Sequence, residues 1–216
     1  MKKLHIQILT DKNSWTVYYA DNLGKLLKRK NHQAKLIYSE SKVENGDILI
    51  IFGWYKIIPK NILNRNKYNL VVHPSALPKG KGCSPLTWQI LEDKNKIPIT
   101  LFEAVEQVDA GDIYFKDIMY FQGHELLDEL KKQQGKKSIE IIYKFIQHYP
   151  NIKGVKQKGK SNYYSRRTQK DSEIDINKSI KEQFNLLRIV DNKNYPAFFW
   201  HKGHKYILNI IKEDNK

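Results

Sequence analysis

Residues 71–82 read VVHPSALPKGKG: two valines run into His73, and a loop with two prolines, two glycines and two lysines follows. Imidazole is the side chain that exchanges a proton near neutral pH. A histidine ending an apolar run is therefore either a satisfied residue closing a strand or a group set out for acid–base work. Downstream, VDAGD (108–112) supplies two carboxylates, Asp109 and Asp112. They read either as part of an ordinary turn or as partners that fix the imidazole's tautomer and favour its charged form. Cys83 is the only cysteine, so no disulfide forms within the chain, and no Cys/His spacing suggests zinc; no metal is expected.

Elements on either side must bring these groups together. LHIQIL (4–9), AKLIYS (34–39), DILIIF (47–52) and NLVVH (69–73) predict strands. WTVYYADNLGKLLKRK (15–30) sets Tyr19, Leu23, Leu26 and Leu27 at helical spacing and ends in a basic turn. IPKNIL (58–63) is a short helical piece, and SPLTWQILE (84–92) is a helix with Ser84 as N-cap and Pro85 at its first position. Trp88 then falls at core spacing with Pro85 and Leu91. IPITLFEAV (97–105) and IYFKDIMYF (113–121) are further strands. Residues 124–149 form an amphipathic helix relaxed at Gly135 and stopped by Pro150. The chain then turns polar and basic over 151–172. A helix over 177–191, with Ile180, Phe184 and Leu187 on one face, precedes a hairpin over 197–211 that turns at Lys202-Gly203.

Apolar strands alternating with helices predict an α/β fold: a Rossmann-like, mostly parallel sheet with helices on both faces, plus a small C-terminal α+β appendage ending in a β-hairpin. The expected units are residues 1–150 and 151–216. Ligands of open α/β sheets bind beyond the carboxyl ends of the strands, which is where His73 falls. Lys and Arg outnumber Asp and Glu by 38 to 23, a formal charge of +15. That excess suits nucleic acid, an anionic membrane or a phosphorylated small molecule, but its scatter among Asn and Ile makes nucleic acid the less favoured partner. The N-terminus reads as a strand rather than a signal peptide, and no run approaches the ~18 apolar residues that span a bilayer, so a cytoplasmic protein without a membrane partner is expected.

The order H-P-S-x-L-P-x-x-x-G, then P-x-x-W-x-I, then V-D-x-G-D-I resembles the signature of 10-formyltetrahydrofolate-dependent formyltransferases. The resemblance implies that His73 and Asp109 are catalytic partners and that 10-formyltetrahydrofolate is the co-substrate. It also implies that FGWYKIIP, with Gly53, Trp54, Tyr55, Ile57 and Ile58, lines the pterin pocket; core packing is the other reading of Trp54, Ile57 and Ile58. Leu77, Pro78, Gly80 and Gly82 match the loop that closes over folate, with Asp112 beside it, and two glycines there permit close backbone approach. The family carries an asparagine two residues before the histidine, whose amide helps hold the oxyanion. Here that position is Val71, which donates nothing. Ser75, a backbone N–H or Asn69 are the available substitutes.

The acceptor is read from the same resemblance. The part after Pro150 does not read as the five-stranded barrel of methionyl-tRNA formyltransferase. The Gly-rich N-terminal phosphate loop of glycinamide ribonucleotide formyltransferase is replaced by DKNSW. SWTVYYADNL, SALPKGKG and RRTQKDSEID are similar to the sugar N-formyltransferases, in the branch associated with pseudaminic-acid-type sugars. This implies formylation of the 4-amino group of a nucleotide-linked 4-amino-4,6-dideoxy sugar in cell-surface polysaccharide biosynthesis. Trp15 and Tyr18 would face the sugar or base; Lys79, Lys81, Arg166 and Arg167 would meet the diphosphate. The apolar edge of the hairpin makes a homodimer possible. A methionyl-tRNA formyltransferase-like or nucleic-acid-binding relative and a non-catalytic homologue are the alternatives.

Overall fold

The computed structural model describes residues 2–213. Strand β1 (His5–Leu9) leads through α1 (Val17–Arg29) to β2 (Gln33–Ile37), a 3-10 turn at Glu40–Lys42 and β3 (Gly46–Ile51). A single helical turn, α2 (Lys60–Leu63), precedes β4 (Asn66–His73). The central sheet has the order β2-β1-β3-β4-β6-β7, where β6 is Lys96–Glu103 and β7 is Ile113–Tyr120. Its first four strands are parallel, whereas β6 is antiparallel to both β4 and β7. The fold is thus mixed α/β with a mostly parallel core, as the apolar runs predict.

Side-chain alternation along each strand builds two cores. Ile6, Ile8, Ile48, Ile50 and Leu70 face α1, α3 (Pro85–Leu91) and the 22-residue helix α4 (Leu127–His148). Leu9, Leu49 and Ile51 face the other way, against Ile58, Ile62 and Leu63. Each fully buried Leu, Ile or Phe contributes roughly 1.5–3 kcal/mol. The two covers are unequal: long helices lie on one face, and one turn of helix with its flanking loops on the other. Val71 and His73 share the parity of the thinly covered face. Helix α4 runs unbroken through Gly135, so the expected relaxation there is absent. Among the described residues no helix is long and apolar enough to cross a membrane.

Residues after Pro150 return across the first part of the chain. Val155 bridges Ile113 at the start of β7, and β8 (Tyr163–Tyr164) pairs in parallel with β5 (Lys81–Gly82). The polar stretch 151–172, read from sequence as loop, therefore adds a strand to the His73 loop and ends in a 3-10 turn at Gln169–Ser172. Of the helix expected over 177–191, only α5 (Phe184–Ile189) forms. The Ser179 hydroxyl and Glu182 carboxylate bond locally, and the Gln183 amide donates to the carbonyls of Asp175, Lys178 and Ser179. Such side-chain contacts take the backbone groups a helix would use, and Ile180 stays exposed. Buried Arg188 anchors α5 by donating to the carbonyl and carboxylate of Glu125. Strands β9 (Ala197–His201) and β10 (His204–Leu208) form the expected hairpin, with Lys202 and Gly203 at φ 49° and 81°, as a two-residue type I′ turn requires.

Candidate functional site

A cleft of about 600 Å³ opens beyond the carboxyl ends of the parallel strands. Strand β4 delivers His73 to it, with 7% of the residue exposed. The ring's Nε2 lies 2.8 Å from the carbonyl oxygen of Gly80. A carbonyl only accepts, so Nε2 carries a proton and Nδ1 is the ring atom left for chemistry. Nδ1 is 3.9 Å from Asp109 Oδ1, too long for a hydrogen bond but close enough for an ion pair when the ring is protonated. Catalytic contacts of this kind commonly tighten only when substrate binds. Asp109 Oδ2 accepts the Gly82 N–H at 2.9 Å, so the loop that presents the acceptor for Nε2 also aims the carboxylate.

Asp109 reaches His73 by a route the sequence does not suggest. Because β6 runs antiparallel to β4, Thr100 sits beside His73, and the strand ends near Leu70, away from the histidine. Residues 104–112 double back to bring Asp109 to the ring. The return begins where Glu103 N–H donates to the Asp112 carbonyl at 2.9 Å. A β-carbon on Gly111 would run into the carbonyl oxygen of Glu103, so only glycine allows this closure. Asp109 itself adopts φ 51°, a left-handed conformation that aspartate tolerates better than most residues.

Of the FGWYKIIP segment, Gly53, Trp54, Tyr55, Ile57 and Ile58 all line the cleft. Tyr55 and Ile57 are exposed on its rim, whereas Ile58 belongs to the smaller core. Trp15 also lines the cleft; Tyr18 is 68% exposed and does not. Gly82 borders the cleft, but the backbone closest to it is the Tyr164 carbonyl, so its missing side chain admits the returning chain rather than a ligand.

Several expected residues lie elsewhere. Leu77, Pro78 and Lys79 line a second hollow of about 550 Å³ behind the loop, with Lys116, Lys156, Lys158 and Lys160. Lys81 is buried in the β5–β8 pair. Asp112 packs at Gly154 and does not border the cleft. Ser84 does not cap α3 with its side chain; it sits at φ 53° and its carbonyl accepts instead. Trp88 is not core: its indole N–H donates to Ser165, and its ring stacks on Tyr164.

The two side chains offered as substitutes for the family amide are also engaged elsewhere or turned away. Asn69 donates to the carbonyl of Leu63 and to the Glu103 carboxylate. Glu103 further accepts from Asn69 N–H and the Tyr114 hydroxyl; burial pushes its carboxyl above the usual range despite these bonds, and Asp112 adds to the rise. Ser75 Oγ is buried against Gly80, has no partner and does not reach the cleft. Val71, Trp54 and Ala104 each pack against the smaller core and line the cleft with His73 as an apolar wall. In that wall the Trp54 indole Nε1 is buried and has no acceptor.

The opposite wall was largely missed from sequence. It carries Lys131 and Gln134 of α4, then Arg166, Arg167, Asp191 and Tyr195. Lys131, Gln134 and Ser138 recur at helical spacing beside the apolar stripe, and this polar run was the available signal. Arg167 Nη2 donates to the Asp171 carbonyl at 2.7 Å, while its Nε is buried without a partner. Burial holds its guanidinium below the usual range, partly offset by the charge of Asp171. A half-buried cation with a donor to spare marks a place for an anion.

The chain is similar in sequence and fold to several known proteins. Methionyl-tRNA formyltransferase of Sulfurihydrogenibium sp. (strain YO3AOP1) is 30% identical over 166 residues, 74% of this chain and 52% of its own length, so the chain spans about half of that relative. Among solved structures, methionyl-tRNA formyltransferase from Clostridium thermocellum superimposes with a TM-score of 0.82 at 22% identity, covering 98% of this chain and 94% of that one. A 4-N formyltransferase from Francisella tularensis gives a TM-score of 0.74 at 19% identity, covering 98% and 99%. The family described as Formyl transferase matches residues 7–146, which hold both His73 and Asp109, and the chain belongs to that family.

Proposed function

We propose that the protein transfers the formyl group of 10-formyltetrahydrofolate to the 4-amino group of a nucleotide-linked 4-amino-4,6-dideoxy sugar. The observation that carries the reading is the juxtaposition in one cleft of an apolar pocket, the His73–Asp109 pair and the under-satisfied Arg167. Folate stacks its flat pterin among Trp54, Ile57 and Ile58. The neutral sugar amine attacks the formyl carbon, and the carbonyl electrons move onto oxygen. Protonated His73, with Nε2–H held by Gly80, directs Nδ1–H at that oxygen. Asp109 stabilises the charged ring and collects the proton released by the attacking nitrogen, which passes to N10 as the C–N10 bond breaks and the carbonyl re-forms. Tetrahydrofolate and the formamide leave. Arg167, with Arg166 and Lys131 nearby, holds the diphosphate.

A methionyl-tRNA acceptor is the second reading, favoured by the named relatives and the +15 charge. Incubation with 10-formyltetrahydrofolate and a panel of 4-amino nucleotide sugars and charged initiator tRNA, read by mass, decides between them. Formylated sugar nucleotide supports the first reading; formyl-methionyl-tRNA, with rates falling steeply in salt, selects the second. No product with any amine overturns both.

A further inference from the structure

We propose that Gln157 is a positioning residue for the transfer reaction: its side-chain amide clamps the turn that aims Asp109 at His73. The inference rests on the reading of His73 and Asp109 as the reacting pair. Gln157 lies outside the region matching the family and in a stretch that reads as loop. Its Nε2 donates to two carbonyls at once, Asp109 at 2.9 Å and Gly111 at 2.9 Å. No other described hydrogen bond reaches either oxygen. Just before it, Val155 and Ile113 exchange two main-chain bonds of 2.8 Å, an antiparallel rung whose next position would set residue 157 beside 111. The ladder stops there: no described main-chain bond joins 157 to 111, and two residues on, the backbone at Asp109 is left-handed. The glutamine side chain supplies the rungs that the main chain can no longer make.

Asp109 has one further tether, the Gly82 N–H on its carboxylate. The same returning segment steadies that side as well, since Asn162 accepts the Gly80 N–H at 2.8 Å and Lys81 N–H donates to the Asn162 carbonyl. Residues 157–164 thus steady both the turn that carries Asp109 and the loop whose Gly82 N–H bonds its carboxylate. Left-handed non-glycine backbone persists only where its surroundings enforce it, and here the enforcing group is identifiable. A displacement of about 1 Å between reacting groups lowers a rate by ~10²-fold.

The test replaces Gln157 with methionine, which keeps the length and loses both N–H groups, and with glutamate, which turns an acceptor on the two carbonyls. Gln157→Met is expected to lower kcat by about 10- to 100-fold, leave KM for folate and acceptor within about threefold, and leave the melting temperature nearly unchanged. Gln157→Glu should lose more. The imidazole 15N signals of His73, recorded without substrate, should move in Gln157→Met part of the way that they move in Asp109→Asn. An unchanged kcat, or a fall matched by lost folded protein with His73 signals unaltered, overturns the proposal. A wild-type protein that formylates nothing defeats the proposed function instead, and the substrate-free 15N spectra still decide whether Gln157 aims Asp109.

Discussion

The two walls of the cleft are built by different means. On the His73 wall, regular strands set the groups: β4 delivers the histidine, and glycine at 111 lets a carboxylate fold back beside it. The strap of residues 157–172, whose far end brings Arg166 and Arg167 to the cleft, is almost without regular structure. Their side chains bond to backbone atoms up to 82 residues away, as Asn162 does to Gly80. On the proposed reading, the scaffold delivers His73 and the Asp109 turn, and their final alignment comes from a polar strap whose order depends on what it touches.

Substitutions should separate the two contributions. The largest effects belong to the reacting pair: His73→Asn and Asp109→Asn should each lower kcat on the order of 10³-fold with the fold intact by circular dichroism. Retained activity in both would remove the His73 wall from the chemistry. Next comes the strap's Arg167. Arg167→Met should raise KM for a phosphorylated acceptor about 10- to 100-fold, equivalent to a lost charge-assisted hydrogen bond of roughly 1.5–3 kcal/mol, while leaving folate binding unchanged. Equal effects on both ligands would show that the guanidinium shapes the cleft rather than the acceptor site.

Val71→Asn probes the apolar break in the His73 wall. Placing an amide in that apolar wall should destabilise the protein by about 1–3 kcal/mol in urea titration and raise kcat several-fold by restoring an oxyanion donor. No gain in kcat would mean that a donor already exists; the unpartnered Trp54 Nε1 is the first to examine, through Trp54→Phe. The smallest effect concerns Glu103. Burial raises its folded-state pKa, so the folded protein holds that proton to higher pH than the unfolded chain does. Stability is then lost as pH rises from about 4.5 towards the folded-state value. Glu103→Gln, which keeps an oxygen to accept from Asn69 and turns an amide N–H towards the Tyr114 oxygen, should flatten that part of the melting curve against pH.

The same contrast explains what could be read from the chain. Continuous apolar runs such as DILIIF and NLVVH carry their strand periodicity in a few residues, and the rare order of histidine, prolines, glycines and aspartates made the candidate pair visible. The antiparallel course of β6 was not visible, because alternation does not encode strand direction. The destinations of Lys79, Lys81 and Ser75 were hidden for another reason: a loop residue's orientation depends on the segment that later packs against it, here β8. Gln157 bears no local signal, since its partners are carbonyls, which every residue possesses.

The pairing of β5 with β8 also sets an order of events during synthesis. Every strand of the central sheet has been made once Tyr120 has emerged, and α4 can cover it by His148. The strap cannot close on Gly80 and Asp109 until Tyr164 is available. Closing so long a loop is slow and entropically opposed until the rest has condensed. On the proposed reading, a nascent chain made as far as His148 holds the central sheet and α4 before the Gln157 and Asn162 bonds that would align His73 and Asp109 can form.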